Sequence, residues 1–415
     1  MAQEDIFYDV LIVGGGHAGA QLAITLRQMG FAGSVAIVGA EHVPPYERPP
    51  LSKEYLSGAK SFERILIRPE SFWGERNVAM ILGERVMSVD PGKKRIVTAS
   101  GRSMGYGSLV WAAGGSPRRL ACAGSDASNI HVVRNLADVD AIAAALPQVT
   151  HVTIVGGGYI GLEAAAVMRK MDKAVTLLEV GPRLLGRVTG EALSAFVDEF
   201  HRAKGVDVRT ATGLASFETQ DGRVVAAVLD NGQRIATDMV IAGIGIVPEV
   251  GALQDAGASV ANGVMVDACC RTSLPDIFAI GDCAASPNPW ADGAHIRVES
   301  VQNANDQAKI VANLLMDVDK PVDAMPWFWS NQYDLKLQSV GLSMGHDLQL
   351  VRGDRATASF SILYLREGRL IAVDTVNRVK DYVQARALVA AGARLDASLA
   401  VDPDIALKDV VAAAA

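Results

Sequence analysis

Two short apolar runs rich in β-branched residues, 8–13 and 151–155, each stop at a cluster of glycines. A helical pattern follows each cluster, over 20–29 and 162–171, and then a second apolar run, over 34–38 and 174–178. This is strand, turn, helix, strand, written twice. The two units lie about 140 positions apart, which is the spacing of successive domains and not of a solenoid repeat. A proline-rich stretch, 44–51, precedes mixed strands, and an apolar strand at 109–113 closes on Gly114-Gly115-Ser116-Pro117. A matching strand at 238–244 runs into Gly245-Ile246-Val247-Pro248, and both read as crossovers between domains. A further strand at 277–280 ends at Gly281-Asp282. Beyond Pro326 alternating segments that carry Trp and Tyr predict a third, strand-rich domain, with strands at 338–340, 359–365 and 370–373 and a helix at 381–391.

The glycine clusters carry chemistry. In Gly14-Gly15-Gly16-His17-Ala18-Gly19, Gly14 allows a tight turn, Gly16 lets backbone approach a pyrophosphate, and Gly19 lets helix and strand pack closely. The phosphates would then meet free N–H groups at a helix N-terminus. The second strand of this unit ends Val38-Gly39-Ala40-Glu41, without an acid directly at its end, so a ribose would be held by Glu41 or by backbone near Ala40. In the second cluster, Gly156-Gly157-Gly158-Tyr159-Ile160-Gly161, the acid is in place: Glu179 follows Gly161 by 18 positions. A carboxylate there accepts hydrogen bonds from ribose hydroxyls and repels a 2′-phosphate, which favours NADH over NADPH. Arg183 is the only nearby cation in the sequence. A nicotinamide gives up two electrons as a hydride, and a flavin can accept the pair and release electrons singly, so two dinucleotides in one chain make a two-to-one electron converter. Asp282, at a strand end, suits a ribityl hydroxyl.

Composition narrows the class. Half of the 415 residues are hydrophobic and a fifth are charged, as in an ordinary globular protein, and the length suits about three domains. A net charge of -7 argues against nucleic acid as a partner. Cys122, Cys269, Cys270 and Cys283 form no C-x-x-C pair, disulfide framework or metal site, so a reducing cytoplasm is expected. The N-terminus shows no secretory pattern, the alanine-rich C-terminus is too short to span a bilayer, and no apolar run approaches a membrane span.

Four segments together resemble one family: Tyr46-Glu47-Arg48-Pro49-Pro50-Leu51-Ser52-Lys53; residues 156–163; Arg297-Val298-Glu299-Ser300-Val301-Gln302-Asn303-Ala304; and Trp327-Phe328-Trp329-Ser330-Asn331-Gln332-Tyr333. The chain resembles, over almost its whole length, the FAD-dependent ferredoxin reductases of bacterial cytochrome P450 and Rieske oxygenase systems, of the putidaredoxin reductase and biphenyl dioxygenase reductase type. The resemblance implies an α/β fold with two Rossmann-like dinucleotide-binding domains and a C-terminal α+β domain, in a glutathione-reductase-like architecture. The expected division is FAD over 1–117 and 246–325, NADH over 118–245, and the C-terminal domain over 326–415.

It also implies roles. Gly14, Gly16, His17, Ala18 and Gly19 would hold the FAD pyrophosphate, with Ala40, Val86 and Ala113 also at the FAD and Val86 meeting the adenine through its backbone. Arg48, Pro49 and Lys53 would line the flavin, Arg134 would reach it from the end of the crossover, and Asp282 would hold the ribityl chain. Glu299, Ser300 and Val301 would begin a helix aimed at the flavin pyrimidine. Gly156, Gly158, Tyr159, Ile160, Gly161, Glu179 and Gly245 would form the NADH cleft, with Glu163 near the nicotinamide and paired to Lys53. Lys53 and Glu163 are the expected catalytic pair. Trp327 and Trp329 share a strand face, and either both are core or Trp329 lies against the flavin.

The implied activity is transfer of electrons from NADH through FAD to a [2Fe-2S] ferredoxin, by a monomer or homodimer, with no metal of its own and no nucleic acid or membrane partner. Arg64, Arg68, Arg76 and Arg297 are candidates for a basic patch facing an acidic ferredoxin. Three rivals compete. A disulfide reductase or NADH oxidase on the same fold would want a redox cysteine between the first turn and Lys53. A quinone reductase would want an amphipathic C-terminal anchor. An apoptosis-inducing-factor-like redox sensor would want a basic surface.

Overall fold

The computed structural model describes residues 6–318 and 325–412. The leader reading at residues 1–5, part of the expected FAD-domain segment at 319–324 and the last alanines at 413–415 lie outside the described residues. The chain divides into two compact units, Met1–Arg48 with Ser61–Ser116 and Val247–Pro326, and Pro49–Lys60 with Pro117–Ile246 and Trp327–Ala415.

The first unit is built on a seven-stranded sheet. Val78–Leu82, Val35–Gly39, Ile6–Val13 and Ser103–Trp111 run parallel, and Ile277–Ala279 joins the C-terminal half of Ser103–Trp111. Arg95–Thr98 and Val86–Asp90 continue the sheet antiparallel beyond its N-terminal half, with a bulge between Val86 and Ser88. The parallel strands are nearly continuous apolar runs because both faces are covered. Helices His17–Gln28 and Val301–Leu315 pack together on one face, where Ala18, Leu22, Ala304, Ala308 and Val311 are buried.

The second unit holds three sheets. Val206–Arg209, Ala174–Leu178, His151–Val155, Met239–Ala242 and Ile130–Val132 form an all-parallel sheet in that order. Leu214–Gln220, Arg223–Leu229 and Arg234–Ala236 form an antiparallel ribbon. The C-terminal sheet is antiparallel in the order Trp327–Gln332, Leu335–Gly341, Arg369–Val376, Ser359–Arg366 and Leu348–Asp354, with helix Val379–Ala390 against it. Both Rossmann-like halves and the C-terminal α+β domain are therefore present, as the fold class requires.

Element edges differ from the sequence expectation for local reasons. The helices begin at His17 and Tyr159, three residues earlier than the apolar periodicity indicates, because Gly16 and Gly158 serve as N-caps in extended backbone. The strands expected over 109–113 and 238–244 stop at Trp111 and Ala242. The next residues, Ala112 and Gly243, run directly over the glycine turns. Helix Glu191–Ala203, whose Leu193, Phe196, Val197 and Phe200 fall at helical spacing, and strand Leu348–Asp354 are not among the expected elements.

Candidate functional site

The two glycine turns are copies of one design. Gly14 and Gly156 have φ of +114° and +112°, which L-residues rarely adopt. A Cβ on Gly14 would lie 2.2 Å from Ala112 O, and one on Gly156 would lie 2.4 Å from Gly243 O. Gly19 and Gly161 are as tight, with a Cβ falling 2.1 Å and 2.0 Å from the carbonyl oxygens of Gly14 and Gly156. Packing alone explains these four glycines.

It does not explain the middle ones. A Cβ on Gly16 or Gly158 would meet nothing within 4 Å among the described residues. Each is the N-cap of a 12-residue helix with no side-chain cap and no acid in its first turn. Open space above the N-terminus of a helix, its positive end, is a cradle for a pyrophosphate. The residues of both turns fit a dinucleotide. His17, Ala18, Tyr159 and Ile160 begin the two helices, and Ile160 is 41% exposed on the open side.

Acid placement separates the turns. Glu179 Oε2 accepts the Gly157 N–H at 2.7 Å and Glu179 Oε1 accepts the Gly181 N–H at 2.7 Å. Each oxygen keeps a lone pair for a ribose hydroxyl. The Arg183 guanidinium donates to Thr189 O at 2.7 Å and Gly186 O at 3.0 Å, so the only cation near Glu179 in sequence is engaged by its own loop. In the first turn Glu41 is also engaged. It accepts from the Tyr46 hydroxyl at 2.6 Å and pairs with Arg48, whose guanidinium also lies over the Tyr46 ring. Ala40 beside it is exposed, so the carboxylate of Glu41 and the backbone near Ala40 are both placed for a ribose.

Lys53 and Glu163 form an ion pair within the second unit, Nζ to Oε1 at 2.9 Å, with side-chain exposures of 12% and 2%. Lys53 also donates to Pro49 O at 3.3 Å. Glu163 additionally accepts from Ser52 Oγ and Ser330 Oγ, each at 2.5 Å. A buried carboxylate is stable only when its lone pairs are filled this way. Ser52 stands beside Lys53 in the proline-rich motif, and Ser330 stands inside the tryptophan motif. Sequence reasoning noted both motifs and missed both hydroxyls.

The remaining expected residues are placed as follows. Val86 is buried at the edge of the bulge, and Ala113 and Gly245 lie half-buried where the crossovers begin. Arg134 is half-buried just before Asn135, the cap of helix Leu136–Ala145. Asp282 is half-buried in the turn Gly281–Cys283, where the Gly281 N–H donates to the buried Gln307 Oε1 at 2.7 Å, a partner the sequence did not reveal. Ser300 caps helix Val301–Leu315 by accepting from Asn303 N at 3.0 Å, and Glu299 is exposed and paired with Arg297. Trp329 is half-buried, with its ring 5.3 Å from that of Trp327, and Tyr159 lies 4.5 Å from Phe328.

Among the basic-patch candidates, Arg64, Arg68 and Arg76 are exposed, and Arg68 and Arg76 both lie over the Phe72 ring at 5.7 Å. Arg297 does not join them. Its guanidinium is folded onto Glu299, two positions on, and onto Asp282 O and Asn262, 15 and 35 positions back, so it offers no free charge.

Cys270 and Cys283 are buried, and burial pushes the Cys283 thiol up to about 12 and the Cys270 thiol up as well. Neither is a thiolate nucleophile at neutral pH. No group of three or more His, Cys, Asp or Glu among the described residues could hold a metal ion, and none of their helices is long and apolar enough to cross a membrane.

Residues 8–308 match the pyridine nucleotide-disulphide oxidoreductase family and 327–411 match the reductase C-terminal family. The 5,5'-dehydrodivanillate O-demethylase ferredoxin reductase subunit of Sphingobium sp. (strain NBRC 103272 / SYK-6) is 56% identical over 407 residues, 98% of this chain and 99% of that one. The covalent putidaredoxin reductase–putidaredoxin complex matches with a TM-score of 0.93 and 38% identity over 97% of each chain. The ferredoxin reductase for the CYP199A2 system from Rhodopseudomonas palustris matches with a TM-score of 0.93 and 36% identity, over 97% of this chain and 100% of that one. With two dinucleotide cradles, an ion pair at the second and a reductase C-terminal domain, the chain belongs to the pyridine nucleotide-disulphide oxidoreductase family, and its cofactors are FAD and NAD(P)H.

Proposed function

We propose that the chain is an NADH-dependent ferredoxin reductase that delivers electrons to a [2Fe-2S] ferredoxin in the cytoplasm. The observation that carries the reading is the pair of open cradles at Gly16 and Gly158, together with the acid at Glu179 that only the second possesses. Similarity to a reductase solved in complex with putidaredoxin supports a ferredoxin as acceptor. No cysteine stands between the first glycine turn and Lys53, which favours this over a disulfide reductase.

FAD, when bound, supplies the chemistry that takes a hydride pair from NADH and passes electrons on singly. The chain's own part is placement and electrostatics. The first unit would hold FAD through Gly14 to Gly19, Val86, Ala113 and Asp282, and the second would hold NADH through Gly156 to Gly161, Glu179 and Gly245. Lys53, fixed by Glu163 and Pro49 O, presents a positive charge at the NADH half. Ser300 and Val301 open a 15-residue helix whose N-terminus favours negative charge. Arg64, Arg68 and Arg76 form the basic face offered to an acidic ferredoxin.

The direct test is cytochrome c reduction by NADH, which should be fast only when a ferredoxin is added. That rate should fall as salt rises from 50 to 500 mM, and weaken further in an Arg68→Glu/Arg76→Glu variant. A salt-independent rate removes the steering role. Cofactor choice has its own test. Glu179→Ala should raise KM for NADH about tenfold or more, the loss of one or two charge-assisted hydrogen bonds, and change KM for NADPH much less. Equal changes for both cofactors exclude Glu179 as the discriminator.

A further inference from the structure

Behind Glu163 lies a row of buried polar side chains that cofactor binding does not account for. Ser330 Oγ lies 2.5 Å from Glu163 Oε1, Gln332 Nε2 lies 3.2 Å from Ser330 Oγ, and His201 Nε2 lies 2.8 Å from Gln332 Oε1. Ser330, Gln332 and His201 are 0%, 1% and 0% exposed. The row starts on helix Glu191–Ala203, crosses strand Trp327–Gln332 and ends on helix Tyr159–Lys170, all within the second unit. Its far end is blunt, because His201 Nδ1 is buried without a hydrogen-bond partner among the described residues.

The polarity of the row follows from its acceptor end. An ionised Glu163 can only accept, so the Ser330 hydroxyl donates to it. Ser330 then offers lone pairs, so the Gln332 amide nitrogen faces it and donates. That turns Gln332 Oε1 toward His201, whose Nε2 must carry the proton. Nδ1 is thereby left as the unprotonated nitrogen, which is the cheaper one to bury unpaired. Burial lowers the pKa of His201, keeping the ring neutral as this arrangement requires. Three donors in series all point their positive ends at one carboxylate, and such chains reinforce each other in a low-dielectric interior.

We infer that His201, Gln332 and Ser330 form a directional hydrogen-bond relay that holds the Glu163 carboxylate ionised against Lys53, and that all three are positioning residues for the electron-transfer site. The functional half of this inference rests on the proposed role of the Lys53–Glu163 pair. Among the described residues, the other titratable groups shown to face Glu163 are Lys53, from the Pro49–Lys60 segment, and Tyr159, on its own helix. Those facing His201 are Asp198, on its own helix, and Tyr333, from the turn after the tryptophan strand. None of them is removed in the variants below.

The test reads Glu163 directly in the holoenzyme. Infrared spectra over pH 4–9 should show Glu163 as a carboxylate in the wild type at neutral pH. Assignment comes from loss of its band in Glu163→Gln. In Ser330→Ala the band should titrate at least about one pH unit higher, the effect of one lost charge-assisted donor. The nearly isosteric Gln332→Met should shift it in the same direction by less. Because Gln332 acts only through Ser330, the double variant should shift it no further than Ser330→Ala alone. Nitrogen-15 NMR of labelled histidines should find His201 neutral and protonated at Nε2.

Additive shifts, no shift in either single variant, or an Nδ1–H tautomer would overturn the relay. The rate of flavin reduction by NADH, followed by stopped flow, separates the two ideas. Its acid limb should move upward with the infrared titration in each variant. If the band shifts while the rate ignores both Glu163→Gln and pH, the relay stands and the role given to the ion pair falls.

Discussion

Gly158→Val is expected to abolish reduction by NADH while the protein still folds and still holds FAD. Gly158 has φ of -82° and ψ of 178°, ordinary extended backbone for any residue. Its Cβ would meet nothing within 4 Å among the described residues, so valine adds no clash to the protein itself. Exchanging a glycine N-cap for valine costs about 1 kcal/mol, small against the stability of a chain this long. The isopropyl group would stand where phosphate oxygens must approach the N–H groups of helix Tyr159–Lys170. Losing those contacts should cost at least about 3 kcal/mol, or a hundredfold or more in KM for NADH. Dithionite should still bleach the flavin, and the reduced protein should still pass electrons to ferredoxin. Gly16→Val should instead yield a yellowless protein with the same fold. Gly156→Ala is the contrasting control, because its Cβ would fall 2.4 Å from Gly243 O at a φ of +112°, and that variant should lose stability. Wild-type NADH kinetics in Gly158→Val would mean that the second turn is not the nicotinamide site.

Both turns were visible in the sequence because the apolar period switches there from strand to helix, and glycine marks the switch. The acid at Glu179 was visible for the same reason, as it stands at a strand end at fixed chain distance from the turn. Where partners are remote, the pattern is silent. Ser52 and Ser330 reach Glu163 across 111 and 167 positions, and no local periodicity encodes such a meeting. Glu41 shows the local counterpart: Tyr46 and Arg48, only five and seven positions on, fold back onto the carboxylate that chain distance made a ribose candidate. Arg297 likewise looked like a free surface charge and is neutralised by a neighbour two residues away. Charges are the hardest residues to place from sequence, since a nearby opposite charge decides their role and backbone geometry decides what is nearby.

The ion pair itself should separate stability from function. Glu163→Leu removes the counter-ion of a lysine whose side chain is only 12% exposed and leaves the Ser52 and Ser330 hydroxyls without their acceptor. Breaking a buried pair from one side typically costs about 3–5 kcal/mol, so this variant should unfold at clearly lower denaturant concentration than the wild type. Lys53→Met alone should be destabilised comparably, because Glu163 is 2% exposed and would face apolar surroundings with only two hydroxyls for support. Combining the two replaces the pair by side chains of similar volume, and most of the lost stability should return. Flavin reduction by NADH should not return with it. If the charge of Lys53 orders the NADH half, the double variant should stay at least about tenfold slower than wild type, although its unfolding midpoint has recovered. A double variant that regains both stability and rate would reduce the pair to a structural brace, and a double variant as unstable as the single ones would show that the two serines, and not the charges, carry the packing cost.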